Sequence, residues 1–395
     1  MSKEKDYYYI LWLPSWYPCK LTPYDGDFIQ RHARAVSAFV SVQVVHFIRD
    51  KDRIVTKDIR IEENKTDKLT ETIVYYYSKT LPVQAADRFI SLQKFRRVYK
   101  KFFSDYFMKH GVPSLVHVHI AFKAGLIALW IKKHMNISYL LTEQWTIYLE
   151  EAKPKFKELP LLVQIMISKV ITEAALVLPV SAYLAKSIQR RWKKIECEVV
   201  PNVVDVQIFF PGAYVDGSKL KLIHISTLTY QKDPETLLEA AGILKKKGID
   251  FSLDILGPVS EKIISLIKKN NIEEVVFMKG EMPQSALAGL IRKSDALVLY
   301  SRYETFGCVI IEANACGVPV IVPDTQLMNE LVKNNLNGVL VHPGSAIALA
   351  EALIDFSKNK NNFSTDKITL ETSEKYSYSL IGKQLSEIYS RFIGD

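Results

Sequence analysis

Residues 301–324 read SRYETFGCVIIEANACGVPVIVPD, and this stretch decides the fold. It follows ALVLY (296–300), an apolar run that reads as a buried strand, and passes through a turn into IIEANACG before a second apolar run, PVIVPD. Strand, turn, helix and strand in that order are the unit of a parallel sheet covered by helices. Gly307 in the turn lets backbone come close to a ligand, and the first free N–H groups of a helix starting near Phe306 form an anion site suited to a diphosphate. Glu304 falls just before that helix start. Glu312 comes about two turns further along, where a carboxylate accepts hydrogen bonds from hydroxyls.

Outward from this stretch the same alternation fills the chain. In the first half YYYILWLP, VQVVHFI, IVYYYS, LVHVHI, SYLLTEQ, ALVLPVS and CEVVPN read as strands, with helices over 27–39, 124–134 and 183–193. In the second half LKLIHIS, SLDILG, VVFMKG, ALVLYS, PVIVPD and GVLVHP read as strands, with helices beginning near Pro234, Glu261, Gln284, Phe306, Asn329 and Ala346. A chain of 395 residues exceeds what one hydrophobic core usually serves. The expected architecture is therefore α/β, two doubly wound Rossmann-like domains. Residues 201–219, PNVVDVQIFFPGAYVDGSK, lose periodicity and carry the prolines and glycines of a domain junction. The expected division is 1–205 and 206–375. Ligands of open α/β sheets bind beyond the carboxyl ends of the strands, so both sheets can face one central cleft.

Composition excludes several classes. With 48% hydrophobic and 24% charged residues the chain is an ordinary globular protein rather than a disordered one. Cys19, Cys197, Cys308 and Cys316 lack metal-ligand spacing, which points to a reducing compartment. The short apolar run at the start, broken by Pro14, reads as neither signal peptide nor membrane span, so a cytoplasmic location is expected. The net charge of +9 calls for an anionic partner: nucleic acid, membrane or substrate. No nucleic-acid recognition motif accompanies it, and none is expected to bind. RFISLQKFRRVYKKFFSDYFMK (88–109) sets Phe89, Leu92, Phe95, Tyr99, Phe102, Phe103 and Tyr106 at helical spacing among lysines and arginines. The aromatic stripe reads as core, and the basic face suggests peripheral contact with anionic membrane at the inner face of the bilayer.

Taken together, these motifs resemble the retaining GT-B glycosyltransferases of family 4. Glu304 and Glu312 in ETFGCVIIEANACGVPV match the family's Glu-x7-Glu element. PNVVDVQIFFP matches its inter-domain segment at Asn202, Asp205, Phe209 and Pro211, and PSWYP followed by GDFIQRHA resembles its N-terminal loop with Gly26. The resemblance implies two domains facing a cleft, the first for the acceptor and the second for a nucleotide diphosphate sugar, with helix 376–395 crossing back to the first. It implies that Glu304 contacts the donor sugar, that Glu312 holds the ribose, and that the backbone of Phe306, Gly307, Cys308 and Val309 faces the diphosphate. It also implies that Lys232 neutralises the leaving group and that His119 faces the acceptor. Base contacts are expected after Gly280, around Met282.

The chain departs from the family's pattern at three places. Ser226 and Thr227 stand where a Gly-Arg pair is expected, which removes one phosphate cation; Arg302 is the expected substitute. Gln326 and Leu327 replace a Gly-Gly pair, and Gln144 in TEQW stands at a histidine position on the acceptor side. His117 and His119 read as pointing to opposite faces of their strand, one of them merely packed. Gly26 is either a turn glycine or a point of close approach to substrate.

The expected reaction is transfer of a sugar from a nucleotide diphosphate donor to a hydroxyl of a glycan or lipid-linked acceptor, in cell-surface polysaccharide, lipopolysaccharide or glycolipid synthesis. The resemblance implies retention at the anomeric carbon. No Asp-x-Asp stands in a metal-binding position, so the expected enzyme needs neither metal nor cofactor. The alternative, motivated by Thr227 and Gln144, is a nucleotide-sugar or glycan-binding protein of the same fold with eroded catalysis. Within the enzyme class the second expectation is a sugar-phosphate synthase or phosphorylase.

Overall fold

The computed structural model describes residues 8–212 and 217–393. Seven strands form the first sheet: β1 (Ile10–Pro14), β2 (Val42–Asp50), β3 (Ile59–Lys65), β4 (Leu69–Tyr77), β5 (Leu115–His119), β6 (Tyr139–Glu143) and β7 (Leu176–Pro179), in the order β3-β4-β2-β1-β5-β6-β7. Six form the second: β8 (Leu220–Ile225), β9 (Phe251–Leu256), β10 (Val276–Gly280), β11 (Ala296–Val298), β12 (Val320–Pro323) and β13 (Gly338–Val341), in the order β10-β9-β8-β11-β12-β13. All described pairings are parallel except β3 with β4. Every residue of β1, β5, β6, β7, β11 and β12 is buried, because helices cover both faces. Each sheet reverses its strand order beside its first strand, between β1 and β5 and between β8 and β11. A crevice opens at such a point.

Three sequence readings need correction. CEVVPN is not a strand: residues 196–200 run beside β7 with only an isolated bridge at Cys197 and scattered bonds such as Val200 N to Pro179 O. Residues 59–65 form an antiparallel edge strand that the sequence reading omits, since IRIEENK is almost wholly exposed and lacks an apolar face long enough to show. The helix expected near Phe306 begins at Cys308, with Gly307 as its N-cap. Tyr7, the first residue of the strand reading YYYILWLP, lies outside the described residues.

The last helices return to the first sheet. Val204 pairs with Ser377 in a short parallel bridge, the helix Tyr378–Ser390 packs on the helix Asp27–Ser37, and the Tyr389 hydroxyl meets His117 Nδ1 at 2.6 Å. The helix Gln84–His110 packs Phe95, Tyr99, Phe103 and Tyr106 into the core and leaves Phe89 exposed.

Candidate functional site

The two switch points face each other across a cleft of about 580 Å³. On the second domain its wall is the turn 304–307 and the helix Cys308–Ala315. Gly307 adopts φ +91°, a left-handed conformation that glycine takes without strain, and this turns the chain from the end of β11 into the helix. The early N–H groups of the helix thereby face the cleft, which Phe306, Gly307, Cys308, Val309 and Glu312 all line. Glu304 lines it as well. Lys232 Nζ donates to Glu304 Oε1, and Gln231 Nε2 donates to Glu304 Oε2 at 3.3 Å, so the loop after β8 and the loop after β11 converge on one carboxylate. Gly280 and Met282 form a further part of the wall, next to Glu281 and Gln284.

The first domain contributes Trp16, Phe28, Arg31, Gln144 and Trp145. Arg31, which the sequence reading did not single out, crosses to the other domain: Nη1 donates to Glu312 Oε1 at 2.6 Å. Both side chains are nearly sealed, at 3% and 4% exposure. Asp27, one turn earlier on the same helix, accepts from Arg31 Nη2 at 3.2 Å and from Gln284 Nε2 at 2.8 Å. Burial pushes the Glu312 carboxyl upward, and the Arg31 charge opposes that rise. For Arg31 burial acts downward, yet Asp27 and Glu312 outweigh it and raise its pKa. No local pattern marks it: at about 100° per residue Arg31 falls opposite the buried Ile29, Ala33 and Val36, on the side of the helix that also carries Asp27 and Arg34.

Three expected site residues stand apart from the cleft wall. Arg302 pairs with Asp233, lies over the ring of Tyr230 at 4.5 Å and lines a separate hollow with Pro323 and Pro343, so it does not replace the missing phosphate cation. His119 is fully buried between Trp12 and His117, with ring centroids 4.0 and 4.2 Å away, and its ring nitrogens have no partner among the described residues. The two histidines share one face of β5, contrary to the sequence reading, because residues two apart on a strand point the same way. Burial, then His117 and His32, hold His119 well below the usual histidine range, so it is neutral. Gly26, at φ +74°, lies where a Cβ would come within 2.5 Å of the Trp16 carbonyl carbon and oxygen. Its close approach is to the loop after β1, not to the cleft.

Gln144 does line the cleft. Its carbonyl accepts from the Thr305 hydroxyl at 2.9 Å, while its Nε2 is buried without a partner among the described residues. Beside it, Glu143 is buried and pushed up to about 7 by desolvation, against the bonds from Ala121 N and Trp145 N. Among the described residues no group of three His, Cys, Asp or Glu side chains gathers in metal-binding geometry.

Comparison with known proteins places these features. Residues 208–374 match the family described as Glycosyl transferases group 1. An uncharacterized glycosyltransferase of Methanocaldococcus jannaschii is 25% identical over 283 residues, 70% of this chain and 75% of its own. A glycosyltransferase of Escherichia coli named for colanic acid biosynthesis is 30% identical over 193 residues, 46% of this chain and 48% of its own. For this and several other relatives the aligned region is less than half of their length. Among solved structures, the sucrose-phosphate synthase of Thermosynechococcus elongatus superposes with TM-score 0.77 at 19% identity, covering 97% of this chain and 98% of its own. HepE of Anabaena, in complex with UDP and glucose, superposes with TM-score 0.70 at 14% identity, covering 97% of this chain and 100% of its own. At these identities the likeness establishes the GT-B fold.

Proposed function

We propose, from the premise that residues 208–374 match the family Glycosyl transferases group 1 and that the whole chain has the GT-B fold, that it moves a sugar from a nucleotide diphosphate to an acceptor hydroxyl with retention at the anomeric carbon. The observation that carries this reading is the Lys232–Glu304 pair beside the start of the helix Cys308–Ala315, inside the inter-domain cleft. The departing diphosphate gains negative charge as the glycosidic bond breaks. A lysine and a row of helix N–H groups stabilise that charge without reorganising, which is the largest lever such a site has. Glu304 orients the sugar, and Glu312 accepts from the ribose. The cationic groups do this work without a divalent ion. A donor bound to UDP is consistent with HepE, whose structure contains UDP and glucose.

In this reading the first domain, residues 1–205, holds a glycan or lipid-linked acceptor, and residues 206–375 hold the donor. Cell-surface polysaccharide, lipopolysaccharide or glycolipid synthesis is the proposed setting, in line with the relative named for colanic acid biosynthesis. The acceptor can then arrive from a membrane. Support comes from a groove between the helices Gln84–His110, Gly125–Met135 and Leu161–Glu173, where Arg96, Lys100, Lys133 and Lys169 have no carboxylate in ion-pair reach among the described residues. Leu161, Leu162 and Ile165 stand exposed beside it. Apolar side chains ringed by uncompensated cations suit anionic lipid. Among the described residues no helix is long and apolar enough to cross a bilayer, so such contact is peripheral.

A second reading, a nucleotide-sugar-binding protein without turnover, is favoured by Thr227, a neutral side chain on the cleft wall where a cation is expected. Release of nucleoside diphosphate from a panel of UDP-, GDP- and ADP-sugars separates the two, since the binding protein saturates without releasing product.

A further inference from the structure

The cleft contains one charged contact that the proposed reaction does not require. Arg31 reaches from the second turn of the helix Asp27–Ser37 into the opposite domain and takes Glu312 Oε1, while Glu312 Oε2 makes no hydrogen bond among the described residues. Asp27 and Gln284 extend the contact, giving a chain Gln284–Asp27–Arg31–Glu312 that passes twice between the domains along the cleft wall. As a stability device this is poor, because removing two charges from water costs about as much as their attraction returns. Arg31 Nε is also buried without a partner among the described residues, which adds to that cost.

Resting on the reading of the cleft as a nucleotide site, we infer that Arg31 is a positioning residue: it holds Glu312 ionised and aimed at the ribose hydroxyls, so that the donor site of the second domain is complete only when the first domain has closed on it. Three observations converge. Glu312 stands in an apolar helix, among Ile310, Ile311, Ala313 and Ala315, where an unpaired carboxylate would take up a proton and lose an acceptor. Arg31 is the cation bonded to it. The guanidinium takes a single oxygen, leaving the other for a hydroxyl. Donor recognition and domain closure are then one event, and binding energy from the ribose is realised only in the closed arrangement.

Isothermal titration of UDP, GDP and ADP, and of the 2′,3′-dideoxy form of whichever binds, tests this on the wild type, Arg31→Gln and Arg31→Lys. The expected result is that Arg31→Gln weakens the ribonucleotide about tenfold or more and leaves the dideoxy form unchanged, so the preference for ribose collapses, with partial recovery in Arg31→Lys. Adding Arg31→Gln to Glu312→Gln produces no further loss. Equal weakening of both nucleotides, or no weakening, overturns the inference, because Arg31 would then be a plain clamp between domains or a bystander. If Arg31→Gln does not fold, Arg31→Lys supports the same comparison. A wild type that binds none of the three nucleotides overturns the nucleotide reading itself, and this role with it.

Discussion

Lys232 and Glu304 lie 72 residues apart in the chain and meet at the mouth of one helix, lysine nitrogen on carboxylate oxygen. The lysine side chain is 19% exposed and the glutamate 6%, so the cation remains open to the cleft while its partner is fixed in the wall. Glu304 holds Lys232 on the cleft wall, where the proposed reading puts the donor diphosphate. Lys232→Ala is expected to lower kcat/KM for the donor about 10²- to 10³-fold, the usual loss when one preorganised charge-stabilising group is removed. The folded state is expected to survive, and steady-state kinetics beside a melting curve check both.

Arg302→Ala is expected to leave donor affinity and turnover within about twofold of wild type, because the guanidinium is held outside the cleft. Stability falls instead. The Asp233 carboxylate, 2% exposed, caps the helix Pro234–Lys246 through Thr236 N and loses its cation. Since Arg302 is 36% exposed and solvent screens the pair, the loss is about 1 kcal/mol in chemical denaturation. A large loss of donor binding would restore Arg302 to the phosphate site.

Glu143 gives a pH dependence with a definite sign. Its folded pKa is raised to about 7, above the unfolded value near 4.5, so the folded chain binds the proton more tightly. The stability it contributes is full below about pH 4.5 and is lost as pH rises through about 7, by at most about 3 kcal/mol. Glu143→Gln is neutral at every pH. The difference in unfolding free energy between variant and wild type should therefore grow in favour of the variant from pH 5 to pH 8. A difference independent of pH would show that Glu143 ionises normally.

The basic groove predicts lipid selectivity. The wild type is expected to co-sediment with vesicles containing phosphatidylglycerol at low salt and not with phosphatidylcholine alone. Lys100→Glu, Lys133→Glu and Lys169→Glu together should abolish the association, at about 1 kcal/mol per lysine. Binding that survives the triple change would move the contact to another face.

Much of this molecule was readable in its residues, for reasons that differ from element to element. The strands buried on both faces announced themselves as apolar runs, and the block from Glu304 to Glu312 gave a turn, a helix and two carboxylates in an order that has one economical fold. The edge strand Ile59–Lys65 escaped because an exposed strand has no buried face to enforce a pattern. Arg302 and Lys232 are both cations near a turn. Only the fold shows that one is held by Asp233 and the other by Glu304. Arg31 was invisible for a different reason: its partner, Glu312, is 281 residues away in the chain, and no local spacing encodes a contact between domains. His119 was assigned to the acceptor side by resemblance, and only its relation to His117 came from a wrong phase, since residues two apart on a strand share a face.

The most direct measurement is release of nucleoside diphosphate from UDP-, GDP- and ADP-sugars by the wild type and by Glu304→Ala, with and without EDTA. The proposed transfer requires that at least one donor is consumed by the wild type, equally in the presence of EDTA, and that Glu304→Ala melts normally but releases nothing above background. Undiminished release by Glu304→Ala, or a wild type indifferent to every nucleotide sugar, would contradict it.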